Sequence, residues 1–227
     1  MPRKPLYNRI QIVFVDPSGK QTDGPIITRK CQQASRTLDH DNWNHVKAIR
    51  RFLWYLSRGD QRGLDAACLA LIRQNSLGEA LKRCMHGNKP NIRKVSSLLS
   101  LWNARGLWSI PRSLGNDLAI LTDAIRYFAP PYEGAPITLY RGQSRSRYEQ
   151  GIFGIAWTAR VAIAKQFSGI RDTEGVVLEL DASPDLIVVH VLDYISTCKT
   201  DPRNRVDIED EYLVDPRALA GRVRVHS

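Results

Sequence analysis

The sequence lacks the marks of several protein classes. No apolar run approaches the roughly 20 residues that a transmembrane helix needs. The first five residues are basic but lead into no apolar segment, so a cleaved signal peptide is not expected. The chain also has no internal repeat and no low-complexity tract. We therefore expect a globular protein of the cytoplasm, with no membrane partner.

Cysteine is scarce and scattered. The four cysteines, Cys31, Cys68, Cys84 and Cys198, form no Cys-x-x-Cys pair. This spacing argues against a zinc site and against a disulfide framework. No metal ion is expected, and a reducing compartment suits the chain best.

Acidic residues are few in the first part of the chain. Residues 1–130 contain 21 Lys and Arg against 9 Asp and Glu, whereas residues 131–227 contain 12 against 14. The net charge of +10 therefore originates in the first part. A basic surface suggests nucleic acid, anionic lipid or an acidic protein as a partner. A surface that only keeps the protein soluble explains the same charge equally well.

The hydrophobic pattern changes near residue 130. Between about residues 40 and 130 apolar residues recur at helical spacing, and Ser76 with Glu79 predicts a capping box at one helix start. After "APPYEGAP" come short segments typical of strands, such as "ITLYRG", "GIFGIAWT", "LIVVHVLDY" and "EYLVD". We predict an α+β protein with a basic, mostly helical region, 1–130, and a β-rich catalytic core, 131–227. The two regions could also form one continuous domain.

Acidic residues crowd into the stretch "VDIEDEYLVDP" near the end of this basic chain. Glu209 and Glu211 are two residues apart, so on a strand they would face the same side. Like charges held together raise at least one pKa. The pair is either a solvated acidic face or a site for acid–base or cation-stabilising chemistry.

Two further pieces precede the acidic stretch. Arg141 and Gly142 end the predicted strand "TLYRG". An arginine can hold a phosphate with two parallel hydrogen bonds, and a glycine lets a ligand approach the backbone, although a surface salt bridge is the commoner role. Ala156-Trp157-Thr158 end another predicted strand, followed by a helical segment that contains Phe167.

Taken in order, these pieces resemble the arginine–serine–glutamate class of mono-ADP-ribosyltransferases. That family has an aromatic-Arg-Gly on an early strand, a Ser-x-Thr/Ser strand that leads to a helix, and a late Glu-x-Glu before an apolar strand. The matching stretches here are Tyr140-Arg141-Gly142, Ala156-Trp157-Thr158 and Glu209-Asp210-Glu211. The resemblance covers about 90 residues, Ile137 to Val225. One departure is Ala156, which replaces the family serine that braces the catalytic glutamate.

The resemblance implies the family's split β-sandwich and NAD as co-substrate. The family breaks the bond between nicotinamide and ribose through an oxocarbenium-like cation, as in glycoside hydrolysis. Glu211 would stabilise that cation, and Thr158 would supply the hydroxyl of the middle motif. Arg141 would hold the phosphates of NAD, and the Gly142 backbone would meet the nicotinamide amide. Phe167 or Trp157 would stack on the nicotinamide ring.

The resemblance also implies a second substrate, the acceptor of ADP-ribose. Glu209 would orient or deprotonate it, and the segment 196–205 would recognise it through Lys199, Arg203, Asn204 and Arg205. A basic loop attracts a phosphate backbone, whereas Glu-x-Glu is the family's mark for arginine acceptors. The basic first part slightly favours nucleic acid, RNA in particular, over protein arginine.

The biological setting follows from the resemblance alone. It implies a toxin or defence effector with an antitoxin protein as partner. Two alternatives stay open. One is an NAD glycohydrolase, which needs the same site but no acceptor loop. The other is a non-enzymatic, basic nucleic-acid-binding protein, in which the β-rich part is scaffold.

Overall fold

A computed structural model describes residues 13–15, 21–23, 44–86, 90–105, 109–168, 174–195 and 209–226. The chain divides into two compact units, Met1–Leu38 and Asp39–Ser227. In the first unit, β1 (Val13–Val15) pairs antiparallel with β2 (Gln21–Asp23), and Phe14 lies opposite Thr22. The segment "NRIQIVFVD", whose Ile and Val residues predict a strand, is strand over Val13–Val15, and its other residues lie outside the described part.

Helices fill the first part of the second unit, as the helical spacing of its apolar residues predicts. α1 starts after Asn44, whose side chain accepts the Lys47 N–H over 2.9 Å. It ends at Gly59, which has a φ of +67°. The helices are α1 (His45–Arg58), α2 (Gln61–Arg73), α3 (Leu77–Cys84), α4 (Ile92–Arg105), α5 (Ser109–Ser113) and α6 (Ala119–Phe128).

The capping box predicted at the start of α3 does not form. Ser76 precedes the helix, but its hydroxyl donates to the Gln74 carbonyl over 3.1 Å. Glu79 pairs instead with Arg83 one turn later, over 2.5 Å. The serine satisfies the preceding turn, and the glutamate gains an exposed i,i+4 ion pair.

An antiparallel sheet follows the helices. Across the described residues it has six strands in the order β6-β7-β4-β3-β5-β8. The strands are β3 (Ile137–Ser144), β4 (Ala156–Thr158), β5 (Gly175–Ala182), β6 (Ile187–His190), β7 (Glu211–Val214) and β8 (Arg224–Val225). Short helices α7 (Arg145–Glu149), α8 (Val161–Ser168) and α9 (Leu192–Ile195) lie between them. The prediction of an α+β protein, helical first and β-rich after, is confirmed.

Two predicted strands are shorter in the structure. The strand expected over "LIVVHVLDY" ends at His190, and the chain turns into α9. The turn forms because the Val191 N–H donates to the Glu211 carbonyl and the Tyr194 N–H donates back to Val191. In "GIFGIAWT" only Ala156–Thr158 is strand.

The helices and the sheet share one apolar core. Its helical side includes Phe52, Leu98 and Ile125, and its sheet side includes Val189 and Leu213, all almost fully buried. A second cluster covers the other face of the sheet and contains Leu139, Trp157, Leu178, Leu180, Tyr212 and Val214. The compact unit therefore runs through residue 130 without a break in its core.

The described residues contain neither a membrane-spanning helix nor a cluster of metal ligands. No helix among them is long and apolar enough to cross a membrane. Nor do three or more of their His, Cys, Asp and Glu side chains gather as a metal site would need. Cys68 and Cys84 are buried thiols, and burial raises the pKa of Cys84 to about 12.

Candidate active site

The three motif strands are neighbours in the sheet. β4 lies between β7 and β3, although β7 is far from both in sequence. Thr158 is opposite Glu211 on one side and opposite Tyr140 on the other. Directly opposed residues of antiparallel strands point to the same face. Glu211, Thr158 and Tyr140 therefore form one cross-strand row.

The same row continues to the far edge of the sheet. Tyr140 is opposite Glu179, and Glu179 is opposite Arg224. The Glu179 carboxylate lies 2.6 Å from His226 Nδ1 and forms an ion pair with Arg224. Both contacts lower the pKa of Glu179. The His226 ring also meets Tyr140 edge-on, with ring centres 5.1 Å apart. The Glu179 end of the row is thus electrostatically satisfied.

The pKa of Glu211, at the other end of the row, is shifted in the opposite direction. Its side chain is half-buried, and burial raises its pKa to about 7. The indole N–H of Trp102 lowers the pKa, the charge of Glu209 raises it, and the charge of Arg141 lowers it. The pKa of Glu179 is therefore below the usual value for glutamate, and the pKa of Glu211 is above it. Carboxylates with pKa values shifted in opposite directions are found at acid–base sites.

Trp102 supplies the brace that Ala156 lacks. Its Nε1–H donates to Glu211 Oε1 over 2.9 Å, and the ring is buried, with 8% of its surface exposed. The helix that carries it, α4, is tied to α9 because Ser96 Oγ donates to the Tyr194 carbonyl over 3.0 Å. Ala156 packs against the helical core and offers no hydroxyl. The group beside Glu211 therefore comes from the helical part of the chain.

The Thr158 hydroxyl holds backbone and does not brace the glutamate. It donates to the Glu209 carbonyl over 2.5 Å and accepts the Arg160 N–H over 3.1 Å. Both bonds fix the ends of loops that leave the sheet at this point. Thr158 thus positions the turn that carries Glu209.

Glu209 does not lie on a strand, so the sequence prediction that it shares a strand face with Glu211 is wrong. β7 begins at Glu211, Glu209 has helical backbone, and Asp210 between them has a φ of +46°. The two-residue rule holds only for extended chain. Glu209 is nevertheless close enough to raise the pKa of Glu211.

His190 holds Asp210 in its left-handed conformation. Its Nε2 lies 3.0 Å from Asp210 Oδ1, and its Nδ1 lies 3.1 Å from Asp193 Oδ1. The ring stacks on Tyr212 with centres 4.3 Å apart and planes 14° apart. Asp tolerates positive φ better than most residues. The histidine therefore fixes the turn between the two glutamates.

Arg141 points to the opposite face from Glu211, because it follows Tyr140 on the same strand. Its Nη1 donates to the Ala156 carbonyl over 2.6 Å. A Cβ atom at Gly154 would lie 2.4 Å from Nη2, so the guanidinium packs directly on that backbone. Burial lowers the pKa of Arg141 to about 10, helped by Arg147 and opposed by Glu211, so the side chain stays a cation at neutral pH.

Gly142 lies under α8. A Cβ atom there would be 2.0 Å from the Ala164 carbonyl oxygen and 2.4 Å from the Ser168 nitrogen. The helix can pack on β3 only because position 142 has no side chain. This packing places α8 against the face that carries Tyr140, Thr158 and Glu211.

The two predicted stacking residues differ in exposure. Trp157 is 2% exposed, belongs to the second apolar cluster and donates its indole N–H to the Gly154 carbonyl over 3.0 Å. It presents no open face to a ligand, so the prediction that it stacks on nicotinamide does not fit its place in the core. Phe167 on α8 is 37% exposed and is adjacent in sequence to Ser168, which contacts Gly142.

The predicted acceptor loop, with Lys199, Arg203, Asn204 and Arg205, lies outside the described residues. Comparison with protein-family models, with curated proteins and with solved structures gave no match to this chain. The candidate site therefore rests on the geometry of its own residues.

Proposed function

We propose that the protein is an NAD-dependent mono-ADP-ribosyltransferase, which cleaves the nicotinamide–ribose bond and transfers ADP-ribose to a macromolecule. The observation that carries the proposal is the cross-strand row. It sets Glu211, with a pKa of about 7, directly opposite Thr158 on neighbouring strands. The three motif strands, which are separated in sequence, lie side by side in the sheet, and this supports the proposal. The split β-sandwich of the family is part of the proposal.

The chemistry needs a carboxylate beside the ribose. The C–N bond to nicotinamide breaks, nicotinamide leaves with the electron pair, and positive charge develops on the ribose. Ionised Glu211 stabilises that charge, and a fixed anion does so better than mobile water. An oxygen or nitrogen of the acceptor then bonds to the ribose carbon and gives up its proton. Glu209, on the adjoining turn, is the candidate base.

Trp102 keeps the carboxylate in place while leaving it able to act. A carboxylate has about four lone-pair positions, and the indole N–H occupies one of them. The others can accept a ribose hydroxyl. Phe167 supplies the exposed ring for nicotinamide. Arg141 projects from the other face of β3, yet its charge is close enough to lower the pKa of Glu211, so it stays the cation proposed to hold the NAD phosphates.

RNA is the favoured acceptor, and protein arginine is the second candidate. The excess of Lys and Arg in residues 1–130 favours a polyanion. The presence of Glu209 close to Glu211 favours arginine, because a second carboxylate could hold and deprotonate a guanidinium. A toxin or defence effector with a neutralising partner protein is the proposed setting.

The test is Glu211→Gln, assayed with NAD labelled in the ADP-ribose part. Glutamine keeps an oxygen that can accept from Trp102 and loses the negative charge, so NAD turnover should fall by about 100- to 1000-fold. Glu149→Gln makes the same chemical change at an exposed position on α7 and should leave turnover unchanged. Turnover of the Glu211 variant within about tenfold of wild type would contradict the proposal.

A further inference from the structure

The outer face of α1 combines cations with an exposed tryptophan. Lys47, Arg51, Trp54 and Arg58 follow one another at spacings of four, three and four residues, and all four are exposed. On a helix this spacing gives a straight stripe, about 16 Å long from first to last residue. α1 contains no acidic residue. We call these four residues the α1 stripe.

Trp54 is a large aromatic residue exposed on the outer face of α1. It is 43% exposed, while the opposite face of α1, with Ile49, Phe52 and Leu56, lies in the core. The Arg58 guanidinium lies over the indole, 4.4 Å from the ring centre. An exposed indole flanked by arginine offers a flat surface on which a base can stack.

Further cations and a depression extend the stripe at its two ends. At the N-terminal end, Arg50 and Arg51 help to line a surface depression together with Lys47. At the C-terminal end, the aliphatic part of Arg93 packs on Gly59, where an added Cβ would lie 2.7 Å from Arg93 Cδ. Arg93 is the second residue of α4, and Trp102 lies nine residues later on the same helix, a rise of about 13.5 Å.

We propose that the α1 stripe binds single-stranded nucleic acid. The cations face a row of phosphates, and the Trp54 ring stacks on one base. A duplex hides its bases and leaves Trp54 no partner. A membrane surface would require a broad apolar face, whereas the apolar face of α1 is buried and only Val46 and Trp54 are exposed large hydrophobic residues on this helix. As the source of the acceptor, this surface rests on the proposed transferase function, but the binding does not.

The experiment uses the full chain without NAD, so its outcome is independent of catalysis. Fluorescence anisotropy follows a labelled oligouridylate of about 12 nucleotides, within the site sizes of single-strand binders. Trp54→Ala should weaken binding by about 5- to 150-fold, since a stacked base is worth about 1–3 kcal/mol. Trp54→Phe should restore most of it, because the phenyl ring also stacks.

The charged residues give a different signature. In the double variant Lys47→Gln/Arg51→Gln, the slope of log affinity against log salt should become shallower by about 1.4, from two lost phosphate contacts. Trp54→Ala should leave that slope unchanged. The control Lys82→Gln/Arg112→Gln removes the same charge from exposed positions on α3 and α5 and should change neither quantity by a comparable amount.

Three results would overturn the proposal. The first is failure of the wild-type chain to bind the oligonucleotide. The second is an equal loss of affinity in the control and the stripe variants, which would reduce the effect to net charge. The third is tighter binding to phosphatidylserine–phosphatidylcholine vesicles or to polyglutamate than to the oligonucleotide, since either would make the partner a lipid surface or an acidic protein.

Discussion

The indole of Trp102 donates a hydrogen bond of 2.9 Å to the carboxylate of Glu211, across 109 residues of sequence. This bond joins the helical part of the chain to the sheet at the proposed catalytic residue. The helical region is therefore more than a carrier of charge, because it supplies one wall of the site.

Trp102→Phe should lower activity and move its pH dependence. Phenylalanine keeps an aromatic ring but loses the N–H, and a hydrogen bond to a charged group is worth about 1.5–3 kcal/mol. NAD turnover at neutral pH should fall by roughly 10- to 100-fold. Since the indole lowers the pKa of Glu211, the midpoint of the pH profile should move to higher pH. Ser100→Ala, which removes a bond within α4, is the control, and an unmoved midpoint would reduce Trp102 to packing.

The wild-type pH profile follows from the raised pKa of Glu211. Below about pH 7 the carboxyl is increasingly protonated and neutral, so NAD hydrolysis should rise as the pH rises through about 7. Glu209→Gln removes a negative charge that raises this pKa. Its midpoint should therefore lie at lower pH than that of wild type, while hydrolysis persists. A midpoint that stays fixed or moves upward would contradict the coupling between the two glutamates.

Glu211→Gln should stabilise the fold at high pH. The pKa of Glu211 is raised in the folded state from 4.5 to about 7. Its contribution to stability is thus fully present below about 4.5 and is lost as the pH rises through 7. Glutamine has no such loss, so the variant should melt higher than wild type above pH 7, by about 2–4 °C for each kcal/mol. Calorimetry should show the gap closing toward acid pH, and a constant gap would exclude this linkage.

Arg141→Lys tests the proposed phosphate contact. Lysine keeps a positive charge but loses the planar fork. NAD binding measured by calorimetry should weaken by about 10- to 100-fold, as expected for lost hydrogen bonds to a charged group. The melting temperature should show whether the bond to the Ala156 carbonyl carries stability. Unchanged NAD affinity together with a lower melting temperature would assign Arg141 to the fold.

Gly142→Ala should destabilise the protein through backbone contacts. The new methyl group would meet the Ala164 carbonyl at 2.0 Å, and such overpacking costs about 1–3 kcal/mol or more. Gly78→Ala is the matched control, since its new Cβ would meet only Leu114 and Ile120 at 3.6 and 3.8 Å. The control should be neutral or slightly stabilising. Equal melting temperatures for the two variants would contradict the close packing of α8 on β3.

Local periodicity was enough to predict the longer helices between residues 45 and 128 and the three motif strands. It did not predict Trp102 as a partner of Glu211, because a helical pattern only shows that a tryptophan faces inward. A buried indole N–H needs an acceptor, but the sequence does not say which acceptor. The prediction that Glu209 shares a strand face with Glu211 was wrong for a related reason. The two-residue rule presupposes extended backbone, and Asp210 breaks it with its positive φ.

The side of the sheet to which Arg141 points could not be predicted from the sequence either. Alternation along β3 separates Tyr140 from Arg141, but only the pairing of Tyr140 with Thr158 shows which of them shares a face with Glu211. Register between strands that are distant in sequence depends on the whole sheet. Pairing of this kind cannot be obtained from one segment at a time.

The strand order also determines at what point of synthesis the sheet can be completed. β7 pairs with both β6 and β4, so before it leaves the ribosome β6 has no neighbouring strand and β4 has an open edge. Unpaired edges invite association with other chains. The strand that closes them begins with Glu211 itself. A nascent or truncated chain that stops short of this residue therefore lacks the carboxylate and a continuous sheet at the same time.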